Sequence, residues 1–186
     1  MIKLKLFICL FILNGALYAQ NDIIKKKDTL VWKSNILKWN DFQSPKNGSY
    51  NTISAASSTG IAVIGKYNDL KLKYSCRVYA YFIKKKSWVN LATSYLLQHE
   101  QLHFDLTELY ARKLRKEYSK MNQEDFIKNA AQKYNEISKK LYDYQDLYDL
   151  ETNHSKNTLK QKEWEIKIKK ELLEYEEYRF EEVSID

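Results

Sequence analysis

The chain has 186 residues, with 14% aromatics, 15 tyrosines, four glycines, one proline and two cysteines. That length suits one domain with a real core, and the scarcity of glycine and proline excludes collagenous, low-complexity and turn-rich repeat architectures. The formal charge is +7, yet the lysine runs at 25–27 and 84–86 come without a nucleic-acid-binding motif, so they read as solvated charge and no nucleic-acid partner is expected.

Residues 1–19 read as a signal peptide. Lys3 and Lys5 open it, Leu6 to Leu13 is an apolar run too short to span a bilayer, and Ala16-Leu17-Tyr18-Ala19 leads into polar Gln20-Asn21-Asp22. Cleavage after Ala19 implies export to the periplasm or the extracellular space, with no membrane span left. Cys9 lacks small residues just before it, so lipoprotein processing is not expected. Its removal leaves Cys76 alone, which excludes an intramolecular disulfide or a cysteine metal cluster and suits a buried, inert thiol.

Residues 20–36 form a lead-in, with a short strand at Leu30-Val31-Trp32. Residues 37–180 read as a single domain and 181–186 as a solvated acidic tail. Ser44-Pro45-Lys46-Asn47-Gly48 is a turn. Strand-like runs follow at 51–56, 60–66 and 70–83. In the last, Leu70, Leu72, Tyr74, Cys76, Val78, Ala80 and Phe82 alternate onto one face. The fold class is therefore α+β: a small, mostly antiparallel sheet followed by three long helices.

The first helix spans about 89–118, with Ser87 as candidate cap. Tyr95, His99, Leu102, His103, Leu106, Tyr110 and Leu114 share one face. Asp105, Glu108 and Arg112 project from the far side, where Glu108 and Arg112 pair at i,i+4. Asn122 caps a second helix, and Glu151 to Ser155 is a polar loop. A third helix covers about 158–178, with Trp164, Ile168 and Leu172 on one face.

The chemistry concentrates in His99-Glu100-Gln101-Leu102-His103. Two imidazoles four apart on a helix can share a zinc ion, and the glutamate beside the first can act as base on a zinc-activated water. A catalytic zinc takes three protein ligands, so one must come from elsewhere. Glu108 faces away and Glu124 opens the second helix at a distance. A turn near Met121 mirrors the motif to about Leu141 and brings the loop from Asp149 to His154 over the site. His154 is the expected third ligand. Asp149 is the alternative, as a ligand or as a carboxylate orienting an imidazole. Tyr148 is the candidate oxyanion stabiliser, with a packed aromatic as the competing role. Trp39 and Trp88 suit core packing better than a substrate cleft, and Asp41 suits a turn carboxylate.

With these residues collected, the chain resembles a bacterial family described as predicted secreted zinc-dependent proteases, also filed as a domain of unknown function. The likeness runs from about Leu37 to Trp164. It includes Leu37-x-Trp39-x-Asp41-Phe42 with Pro45, Ser87-Trp88, His99-Glu100-x-x-His103-Phe104-Asp105 with Glu108, and Tyr148-Asp149-x-x-Thr152-x-His154 followed by Gln161 and Trp164. The family pattern expects glycine where this chain has Ser155. The resemblance implies a zincin-like fold and a zinc-dependent peptidase acting on a peptide or protein. The competing readings are a non-catalytic exported zinc-binding module and an interaction protein.

Overall fold

Alternation along Cys76, Val78, Ala80 and Phe82 produces β4 (Lys73–Ile83), and all four side chains are buried. The computed structural model that shows this describes residues 28–33, 36–45, 54–68 and 73–185. The expected signal peptide, Cys9, lysines 25–27, the centre of the turn at 46–48, residues 51–53, and Leu70 and Leu72 lie outside the described residues.

β4 anchors an antiparallel sheet. β3 (Thr59–Asn68) covers one edge, from Thr59 opposite Phe82 to Asn68 opposite Lys73. A strand has two edges, so the other is shared. β1 (Thr29–Val31) pairs with Tyr81 to Ile83, and β6 (Glu182–Ile185) pairs with Tyr74 to Arg77. Gly60 sits opposite Tyr81, and a Cβ there would lie 2.6 Å from the phenol oxygen, so only glycine fits without a shift. A separate two-stranded ribbon joins β2 (Ala55–Ala56) to β5 (Trp88–Val89).

This ribbon delays the first helix. Trp88 and Val89 are extended and paired, and α1 (Ser94–Tyr118) starts only at Thr93, whose hydroxyl accepts from Leu96 N at 3.1 Å. Ser87, the sequence's candidate cap, is instead buried, donating to Ile83 O and accepting from Ser58 N. Trp88 is buried and Trp39 packs against the core. Asp41 sits in a short 3-10 turn and pairs with Lys84 at 2.9 Å. Cys76 is buried, and burial pushes its thiol up to about 12.

α1 is the central element, buried on more than one face. Its far side does not meet solvent. Glu108 and Arg112 pair at 3.0 Å as the spacing predicts, but both are buried, and Arg115 joins them at 2.8 Å. Trp32 and the C-terminal segment cover that side: Trp32 donates to Asp105, and Arg115 donates to Tyr178 O. The acidic end is likewise not a solvated tail. Val183 and Ile185 of β6 are buried against β4.

α2 (Gln123–Thr152) starts at the Asn122 cap and runs through Asp149 and Glu151, which the sequence reading placed at or in a loop. It ends in three consecutive left-handed residues, Asn153 (φ 48°), His154 (50°) and Ser155 (70°). Such backbone is costly for side chains other than glycine. Here it is held by His154 N→Asp149 O at 2.9 Å and Asn157 N→Thr152 O at 2.7 Å. Asn157 then caps α3 (Thr158–Glu174). No helix among the described residues is long and apolar enough to cross a membrane.

Candidate metal centre

The register of α1 against α2 decides which residues meet. Tyr118 OH donates to Ala130 O, Gln145 Nε2 to His103 O, and His99 Nε2 lies beside Asp149. These pairs place the pivot of the antiparallel helices near Glu124, in the first turn of α2, rather than at Met121. The return helix is therefore displaced, and Asp149 reaches the level of the motif while still helical.

His99, His103 and Asp149 form one cluster, with ligand atoms within 4.8 Å of one another. Asp149 Oδ1 lies 3.1 Å from Nε2 of both histidines. A tetrahedral zinc site with bonds near 2.05 Å has an edge of roughly 3.3 Å between ligand atoms, so the two carboxylate–imidazole edges suit a metal of that size. His99 is buried, the His103 side chain is 12% exposed and that of Asp149 29%. Burial pushes the Asp149 carboxyl up, but the imidazoles of His103 and His99 outweigh this and hold it well below the usual carboxylate range. Burial lowers His103, and Asp149, Glu100 and Asp146 together raise it above its ordinary value. Both shifts favour a positive charge between His103 and Asp149.

The chemistry of the donors sharpens that preference. His99 Nδ1 lies 2.9 Å from Gln161 Oε1, an acceptor, so Nδ1 carries the proton. Nε2 then faces the carboxylate at 3.1 Å, a contact that is favourable with a second ring proton or with a cation between the two. His99, His103 and Asp149 could hold such a cation as a group.

His154, the third ligand expected from sequence, stands just past the end of α2. Its side chain is 48% exposed, and Nδ1 lies 3.6 Å from Asp149 Oδ1, outside the cluster of three. The structure therefore groups Asp149 with the two histidines and leaves His154 beside the cluster. Tyr148 is fully buried. Its ring stacks on His99 with centroids 4.6 Å apart, and its hydroxyl donates to Gln161 at 2.6 Å. That hydroxyl is committed to the Nδ1 side of His99, away from Asp149. The geometry matches the packed aromatic rather than the oxyanion stabiliser. Burial raises its phenol far above the ordinary tyrosine range.

Glu100 is buried next to the cluster, and Ser57 Oγ donates to its Oε2 at 2.6 Å. The role of Ser57 has no signal in sequence, since it sits between β2 and β3 with no motif around it. Gln161 did carry one: it is a buried polar residue three before Trp164 and seven before Ile168, on the apolar stripe of α3. Trp164 closes the aromatic wall, with its ring 5.3 Å from Tyr148 and its indole N–H donating to Glu151 at 2.8 Å.

Residues 83–155 match a family model described as "Bacterial protein of unknown function (DUF922)", which takes in His99, Glu100, His103, Asp149 and His154 but neither Ser57 nor Gln161. No curated protein and no solved structure matches the chain. Over less than half its length, the chain is similar to a bacterial family whose function is not established.

Proposed function

We propose that this chain is an exported zinc-dependent peptidase acting on a peptide or protein substrate. One observation carries the reading: Asp149 Oδ1 sits 3.1 Å from the Nε2 atoms of both histidines of a His-Glu-x-x-His helix. The donor set of two imidazoles and a carboxylate suits zinc, and zinc supplies Lewis acidity that lowers the pKa of water and polarises a carbonyl.

His99, His103 and Asp149 would hold the ion. Glu100 is the only carboxylate of the motif, and its neighbour Ser57 fixes one of its oxygens at 2.6 Å. Its free lone pairs can take a proton from the attacking water and deliver it to the departing amine. Tyr148 and Trp164 pack the wall behind His99 and keep water from that side of the ring. The signal-like residues 1–19 support export.

The test compares the purified protein with Glu100→Gln, by zinc per chain and by cleavage of an unstructured protein. The peptidase reading expects about one zinc in both and cleavage only in the first. Zinc in both with cleavage in neither would identify a non-catalytic metal-binding module. Absence of zinc from both would reject the metal centre.

A further inference from the structure

We infer that Gln161 is a positioning residue that fixes which nitrogen of His99 faces the metal; this rests on the metal reading above. The amide has a defined orientation. Its Nε2 donates to Glu165 Oε1 at 3.0 Å, and an ionised carboxylate only accepts. Its oxygen is thereby turned toward His99 Nδ1 at 2.9 Å and Tyr148 OH at 2.6 Å. These two donors occupy both lone pairs of the carbonyl. A phenol and an imidazole N–H thus converge on one oxygen, and that oxygen has no proton to offer a bare Nδ1 lone pair.

The consequence runs along a chain of four groups. Glu165 sets the amide, the amide sets the His99 tautomer, and the tautomer aims the Nε2 lone pair at the point shared with His103 and Asp149. The stacked Tyr148 ring prevents His99 from turning over to exchange its nitrogens. Gln161 is 1% exposed, so water cannot substitute for its oxygen at little cost. The carboxylates and carbonyls that usually orient a metal-bound imidazole act the same way, and their loss typically lowers metal affinity 10–100-fold. Here a side-chain amide on a third helix performs that task, which ties the seating of α3 to the integrity of the centre.

The test uses zinc alone, with a competing chelator, on the wild type and on Gln161→Met, which keeps the volume and removes the acceptor. Zinc affinity is expected to fall about 10–100-fold in the variant. In zinc-loaded wild type, proton–nitrogen NMR of the His99 ring is expected to show a protected Nδ1–H and a metal-shifted Nε2. The variant is expected to lose that protection. Equal affinity with an unchanged ring signature would overturn the inference while leaving the metal centre intact. A wild-type ring bound through Nδ1 would overturn it even if the variant failed to fold. A wild type that takes up no zinc would remove the metal reading and this inference together.

Discussion

Asp149 Oδ1 lies 3.1 Å from His103 Nε2 across 46 residues of sequence, and it does so from within a helix rather than from a loop. The same oxygen is as close to His99. His154 lies 3.6 Å from Asp149 Oδ1, from an exposed position. Replacing Asp149 with Ala should therefore cost more zinc affinity than removing a group that merely orients a ligand, that is, more than about 100-fold. His154→Ala should change it by less than about tenfold. Competition titrations on the two variants measure both. The reverse ranking would return His154 to the third position.

The difference between these two residues shows where sequence stops being informative. Helical periodicity turned His99 toward the interior, and the alternation of Cys76, Val78, Ala80 and Phe82 marked the central strand; both patterns are local and both are seen. The third ligand depended on the offset between two long helices. That offset is set by side chains such as Tyr118 reaching Ala130 and Gln145 reaching His103, which no spacing rule encodes. A shift of one or two turns exchanges a helical aspartate for a histidine beyond the helix end. Glu108 was misread for a related reason. Its pairing with Arg112 is local and correct, but its burial comes from the lead-in and the C-terminal segment, which close over α1 only in three dimensions. β6 was missed because its two buried residues, Val183 and Ile185, are too few to stand out from the acidic residues around them.

Ser57 should matter to turnover and not to metal content. Its hydroxyl donates to Glu100 Oε2 at 2.6 Å and touches none of the ligands. A hydrogen bond to a charged group is worth about 1.5–3 kcal/mol. Ser57→Ala should lower kcat/KM by about tenfold to a hundredfold if the bond is needed to aim the carboxylate. Zinc per chain should be unchanged. A variant with full activity would show that Glu100 is held in place without Ser57.

Asp105 gives a pH signature. Burial pushes its carboxyl up to about 6; Trp32 and Gln101, which both donate to Oδ1, pull it down, and Glu108 raises it further. A carboxyl raised above its unfolded value costs nothing at about pH 3 and below, when both states are protonated. The cost grows as pH rises from about 4 to about 6 and is complete above that, at about 2–3 kcal/mol. Asn keeps an oxygen for both donors and carries no charge. Asp105→Asn should therefore be more stable than wild type at pH 8 by an amount of that order, and nearly equal to it at about pH 3. Urea unfolding of the metal-free proteins at the two pH values measures this. A constant difference at both would mean that the carboxyl is not penalised by burial.

Arg115 joins the central helix to the sheet and to the C-terminal segment. It is 1% exposed and donates to both Glu108 oxygens, at 2.8 and 3.2 Å, to Val78 O of β4 at 2.8 Å, and to Tyr178 O at 2.9 Å. Arg115→Leu fills much of the volume but leaves Glu108 with Arg112 alone and strands two carbonyls. Removing one partner of a buried ion pair typically costs about 3–5 kcal/mol. In a domain of this size that lowers Tm by roughly 6–20 °C. None of the contacts of Arg115 reaches His99, His103 or Asp149, so zinc affinity of the folded variant should match wild type. Calorimetry with a parallel zinc titration separates the two effects. A loss of stability below about 1 kcal/mol would place the pair among solvent-screened ion pairs, and a parallel loss of zinc would show that the clamp also seats the metal-binding face of α1.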